Sequence, residues 1–160
     1  MNPSDVFKKR NLTNTNFDYE DLIARNLSNS NMSGVNLKNR DIHNADLSGA
    51  DLSGAILFYV KLRGSDLRGA NLSDAKLWDA DLYGADLRGS DLRGADLFYS
   101  DLRSADLSDA NLSGTNLRHT NFDGAILANI DFTDANYDSH TLDTLSNDSK
   151  SSLKKYGKKW

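Results

Sequence analysis

Ala45-Asp46-Leu47-Ser48-Gly49, Ala50-Asp51-Leu52-Ser53-Gly54: these two pentapeptides open a stretch that keeps a five-residue beat to Gly114 without an insertion or deletion. Followed outward, the central apolar residue recurs from Leu12 through Phe17, Leu22, Leu27, Met32, Leu37 and Ile42. It is then Leu at every fifth position from Leu47 to Leu117, and Phe122, Leu127, Phe132 and Tyr137 close a run of 26 repeats. With the central residue as i, the unit reads (Ala/Ser)-(Asp/Asn)-Leu-(polar)-(Gly/polar) from i−2 to i+2. A fixed period decides the architecture before any local propensity does. Leu at every fifth residue would wander around an α-helix and alternate between the faces of a continuous strand. The solution is a short extended piece followed by a corner, repeated so that Leu and the small i−2 residue both face one axis. Ten of the eleven glycines fall at i+2, and Asn or Asp fills many of the remaining i+2 sites. That residue set suits the third position of a type II turn, where φ is positive.

This pattern resembles the pentapeptide-repeat family over about residues 10–140. The resemblance implies an all-β fold: a right-handed quadrilateral parallel β-helix with four repeats, hence twenty residues, per coil, and here about 6.5 coils. The exit Ala135-Asn136-Tyr137-Asp138-Ser139-His140-Thr141 is similar to that of cyanobacterial members. The division expected is an N-terminal cap over residues 1–10, the β-helix over 11–140, and a helical cap or basic tail over 141–160.

Both ends carry capping signals. Asn2 and Pro3 predict a short helix to about Lys9 that places Val6 and Phe7 over the first coil. Glu20 and Arg40, at i−2 positions one coil apart, predict an ion pair near that end. Leu153, Tyr156 and Trp160 recur at helical spacing among lysines, with Asp148 or Ser149 as the expected cap. They predict an end cap, a dimer contact, or a basic stripe toward anionic partners.

The formal charge of −4 conceals a segregation: residues 11–149 carry 22 acidic and 11 basic side chains, whereas the last eleven residues carry five lysines and no acid. With no Cys there is neither a disulfide framework nor a thiolate metal site. No apolar run reaches the roughly 18–20 residues of a membrane span, and a cytoplasmic location is expected. No Gly-x-Ser-x-Gly elbow is present, and His43, His119 and His140 are expected to lie apart, so no catalytic residue, metal site or cofactor is assigned. The inner face is filled by side chains, which leaves no internal substrate cavity, and the expected answer is a protein that is not an enzyme.

Under the family's four repeats per coil the outer sides differ. The side that starts at Phe17 carries Phe58, Trp78 and Phe98 at i+1, Tyr59 and Tyr99 at i+2, and Ile56 at i−1, rimmed by Lys38, Lys76, Arg118 and Asp79. Because Tyr59, Tyr99 and His119 resist positive φ, its corners are expected to use a different turn. The other sides mix Asp with Arg or show small polar residues, a solvated face. The functional expectation is a non-catalytic scaffold or protein-interaction module using Ile56, Phe58, Tyr59, Trp78, Phe98 and Tyr99. The partner is an unidentified protein, or a second copy bound through this face or the C-terminal end, and the β-helix itself is expected not to bind nucleic acid. The alternative comes from the resemblance: some members mimic duplex DNA and bind DNA gyrase, inhibiting it or protecting it from quinolones.

Overall fold

The computed structural model describes residues 9–13, 15, 17 and 22–159. Among the described residues, single-residue parallel bridges join i−1 positions to their equivalents twenty residues on, from Asn11↔Asn31 through Asp46↔Asp66↔Asp86↔Asp106 to Asn116↔Asn136. Four pentapeptides therefore complete one coil. Three backbone bonds make up the unit. Leu47 N–H donates to Asp66 O at 2.7 Å, Gly49 N–H to Arg68 O at 2.9 Å, and Asp66 N–H returns to Ala45 O at 3.0 Å. A fourth bond closes the corner, from Ala50 N–H to Leu47 O at 3.0 Å.

The i+2 residue donates along the ladder only when its φ is positive, and it is so at every fifth residue from Ala24 to Asp134, between 54° and 70°. This overturns the expected exception on the aromatic side: Tyr59 has φ 58°, Tyr99 61° and His119 58°. The ladder bond made by Tyr59 N–H to Trp78 O, at 3.0 Å, requires the same corner as Gly does elsewhere. Stacking thus overrides the preference of an L residue, which costs on the order of 1 kcal/mol per corner.

The axis is dry. Every i residue from Leu22 to Leu117 is at most 1% exposed, and the small i−2 residues interleave with them. At i−1 the Asp and Asn side chains have a structural task as well as a solvated one. Their Oδ1 accepts the N–H of i+1, as from Ser48 to Asp46 at 3.0 Å and from Ser73 to Asn71 at 3.1 Å. This local turn competes well with solvent and explains the acidic columns.

At the N-terminal end, Lys9 already sits in a corner (φ 56°) and donates to Ser28 O at 3.0 Å. Lys9 itself is therefore not helical. The residues of the expected helix before it, with Val6 and Phe7, the Glu20 side of the Glu20–Arg40 pair, and Trp160 lie outside the described residues.

After the last coil the order is β1 (Asn136–Tyr137), α1 (Ser139–Thr144), α2 (Asn147–Tyr156) and β2 (Lys158–Lys159). Asp138 caps α1 through Thr141 N–H. Ser146, rather than the expected Asp148 or Ser149, caps α2 through Ser149 N–H. In both, the cap's side-chain oxygen accepts the N–H three residues on, the preferred arrangement at a helix start. Leu153 is fully buried against the core, whereas Tyr156 is 48% exposed. The tail ends in a strand that its sequence does not signal: β2 pairs in parallel with β1, Asn136↔Lys158 and Tyr137↔Lys159. Gly157 allows the return, because a Cβ there would stand 2.8 Å from Leu153 O and 2.9 Å from Ala135 O. The end is closed unevenly, since Ile126 is exposed and Leu127 and Ile130 are only partly buried.

Candidate interaction surface on the aromatic side

The bridge series Asn36↔Ile56↔Lys76↔Asp96↔Asn116 aligns five coils of one side. Because i+1 and i+2 both lie on the corner, their side chains leave the coil outward. The structure brings Phe58, Trp78 and Phe98 into one column: Phe58 meets Trp78 edge-on with centroids 6.1 Å apart, and Trp78 meets Phe98 at 5.7 Å. Tyr59 flanks Trp78 at 6.4 Å, and Tyr99 meets Phe98 edge-on at 4.7 Å. Edge-on and tilted contacts are the arrangements that ring quadrupoles favour. Phe58, Phe98 and Ile56 are half-buried by their neighbours, while Tyr59, Trp78 and Tyr99 are 43%, 41% and 53% exposed.

The column continues further than the sequence suggests. The His119 ring stacks on Tyr99 at 4.6 Å and reaches His140 on α1 at 5.8 Å. This corrects the expectation that the histidines lie apart; α1 folds back over the His119 corner, where His119 N–H donates to Asp138 Oδ2 at 3.1 Å. Asp138 titrates below the usual carboxylate value: burial opposes its ionisation, but the N–H groups of Thr141 and His119 outweigh that. Arg118 crosses the Phe98 ring at 5.3 Å and bonds Asn116. His43 is separate, bonded to Asp41 at 2.7 Å.

A second feature is not among the sequence expectations. Tyr83, on the next side, is covered by the Arg63 guanidinium at 4.4 Å and approached by Arg103 at 5.7 Å. It forms one wall of a shallow groove of about 480 Å³ with Asp41, His43 and Lys61. The signal is present in the i+1 column His43, Arg63, Tyr83, Arg103. A lone tyrosine among cations is easily missed because no second aromatic marks it.

The Asp–Arg sides are electrostatically closed. Arg68 grips Asp66 with both Nε and Nη2, and Arg88, Arg93 and Arg103 do the same to Asp86, Asp91 and Asp101. The Arg68 hydrogen bond holds the Asp66 carboxyl below its ordinary value, and Arg88 does so for Asp86. Among the described residues no group of three or more His, Cys, Asp or Glu side chains is placed to hold a metal ion, and no helix is long and apolar enough to cross a membrane.

The family model described as pentapeptide repeats (8 copies) matches residues 21–58, 41–74, 61–97 and 100–136. The chain belongs to the pentapeptide-repeat family. That membership brings the right-handed quadrilateral β-helix expected of it. Similar solved structures include HetL, a pentapeptide repeat protein involved in heterocyst differentiation regulation in the cyanobacterium Nostoc sp. strain PCC 7120. It shares 36% identity over 71% of this pentapeptide-repeat chain and 54% of HetL, with a TM-score of 0.43. Rfr23 from the cyanobacterium Cyanothece 51142 shares 32% identity over 62% of this chain and 61% of Rfr23, with a TM-score of 0.31. QnrB1, a plasmid-mediated fluoroquinolone resistance protein, shares 20% identity over 74% and 68%, with a TM-score of 0.48. This pentapeptide-repeat chain spans only about half the length of HetL. Comparison with curated proteins finds no match.

Proposed function

We propose that the chain is a non-catalytic pentapeptide-repeat scaffold that binds another protein through its aromatic side. The observation that carries this reading is the contiguous outward strip Phe58–Trp78–Phe98 flanked by Tyr59 and Tyr99. Aromatic anchors with a charged rim are the composition of an interaction hot spot. Strand support alone does not require that three of these rings stay two-fifths or more exposed. In this reading residues 1–10 cap the first coil, 11–140 form about 6.5 coils, and 141–160 close the far end. Leu153 serves that closure, and Tyr156, with Trp160 beyond it, is left for self-association. The reading takes a cytoplasmic setting as its working location.

The DNA-mimicking reading, with gyrase as target, is the weaker one. A mimic needs unneutralised anionic columns, and the bidentate Arg pairs neutralise Asp66, Asp86, Asp91 and Asp101 in place.

The test is affinity capture by the wild type beside Trp78→Ala, with mass measured by light scattering and gyrase supercoiling run in parallel. Trp78→Ala is expected to weaken capture by more than about 1 kcal/mol while the fold persists. A triple Phe58→Ser, Trp78→Ser, Phe98→Ser variant that keeps its partners and its mass would reduce the strip to strand support. Inhibition of supercoiling by the wild type would favour the alternative.

A further inference from the structure

We propose that the aromatic side docks a proline-rich segment of another protein, lying along the coil axis as a polyproline II helix and carrying acidic residues at its ends. This rests on the interaction reading above and supplies the partner's chemistry.

Tyr59 and Tyr99 belong to corners two coil steps apart, with Trp78 in the coil between them. At about 4.8 Å per parallel strand the two corners lie about 9.6 Å apart. A polyproline II helix repeats every three residues, about 9.3 Å. A segment running along the axis therefore offers the same face to both tyrosines and its intervening rings to Trp78. Such helices are recognised by aromatic-lined surfaces because they are preformed and lose little entropy on docking.

Hydrogen-bond polarity selects the same ligand. Along this side Asn36 and Asp96 accept the N–H of Lys38 and Phe98, each at 3.1 Å. Ile56 and Lys76 replace the Asx residue in the two coils between. The N–H groups of Phe58 and Trp78 consequently have no acceptor among the described residues. The strip presents two donors in adjacent coils, and a proline brings a carbonyl acceptor and no N–H of its own.

Charge fixes the ends. Lys38 and Arg118 stand at the two limits of the strip, four coil steps apart along the bridge series. That is about 19 Å, or about six residues of polyproline II. Lys38 and Lys76 are exposed and form no ion pair with any described carboxylate. Lys76 and Asp79 are both exposed in the middle coil and offset each other, so the positive charge for the ligand's acids lies at the ends, with Lys38 and Arg118. These 160 residues hold a single proline, Pro3, and so contain no such segment themselves.

The experiment is fluorescence anisotropy with a labelled peptide of about six prolines and two aspartates at each end. Two control peptides carry lysines in place of the aspartates, or alternating alanine and serine in place of the prolines. The aspartate–proline peptide is expected to saturate below about 1 mM and to bind at least about tenfold more tightly than either control. Trp78→Ala and Tyr99→Ala are each expected to weaken it about tenfold with circular dichroism unchanged. Lys38→Glu should weaken the aspartate peptide and strengthen the lysine peptide. Equal binding of the alanine–serine peptide, no saturation by the aspartate–proline peptide, or indifference to Trp78→Ala would each overturn the proposal. Self-association of the wild type that Trp78→Ala abolishes, with no peptide bound, would give the strip to a second copy and also overturn it. The capture experiment above judges the interaction reading separately, since it requires no proline.

Discussion

Two sides of the same coil, one aromatic and one built of Asp–Arg pairs, share the same pattern of buried leucines and small inward residues. Leu57, Leu77 and Leu97 behind the aromatics are as buried as Leu67 and Leu87 behind the ion pairs. The corners match, at φ 58° for Tyr59 and 63° for Gly69, and so do the ladder bonds, 3.0 Å from Tyr59 N–H and 2.9 Å from Gly69 N–H. Only the outward residues diverge. On one side Arg68 and Arg88 link Asp66, Asp86 and Asp106 into an alternating ladder. On the other, Ile56 and Lys76 give up the Asx turn and rings take its place. Inward residues and corners therefore suffice for the fold, and each outer side is available for another use.

The strongest challenge to this separation compares neighbours on one corner. Leu77→Ala should cost about 2–5 kcal/mol in urea denaturation, because it opens a cavity on the axis. Trp78→Ala, one residue on, should cost less than about 1 kcal/mol. Similar losses for both would show that the aromatic side holds the coil together. A second probe asks whether the far end is as essential as the middle: Leu153→Ala should cost about 2–3 kcal/mol, read as a lower Tm. No change there would mean that α2 rests on the last coil without closing it.

Smaller effects sharpen the contrast between corners. Tyr59→Gly should relieve the left-handed backbone and raise stability by up to about 1 kcal/mol, less what is lost from the Trp78 contact. A net loss of stability instead would show that the ring contact outweighs the relief of backbone strain. The Asp–Arg side should show the smallest effect, visible only in acid. Hydrogen bonds from Arg68 and Arg88 lower the folded carboxyl values of Asp66 and Asp86 below 3.8. A depressed carboxyl stabilises above its unfolded value and loses that contribution as pH falls through the folded one. The double variant Asp66→Asn, Asp86→Asn should therefore narrow its stability gap to the wild type as pH falls below about 4. A gap that stays constant would assign the loss to the turn rather than to charge.

The sequence makes the axis legible because burial of Leu47 and its equivalents is enforced at every repeat, and the same beat aligns Phe58, Trp78 and Phe98. Local propensity misleads at Tyr59 and His119, where inter-coil hydrogen bonds dictate φ regardless of residue. The meeting of His119 with His140 is invisible to the beat, since it depends on where α1 turns back after the repeats end. Lys158 and Lys159 read as a charged tail because nothing in two lysines signals a strand; β1 imposes that conformation by offering an open edge. Tyr83 is legible in its column, but only to a reading that weighs a single ring among cations.

The twenty-residue bridge spacing makes insertions and deletions act as phase shifts. Excising residues 101–120 would shorten the rod by one full turn and leave every column upright. Excising 61–65 would keep each leucine on the axis but carry all that follows a quarter turn around it. Trp78 would then stand on a different side from Phe58 and Tyr59, cutting the aromatic strip in two above an intact core. For most proteins a frame-preserving deletion tests whether the chain still folds. For this one its length modulo twenty determines where the surface is displayed.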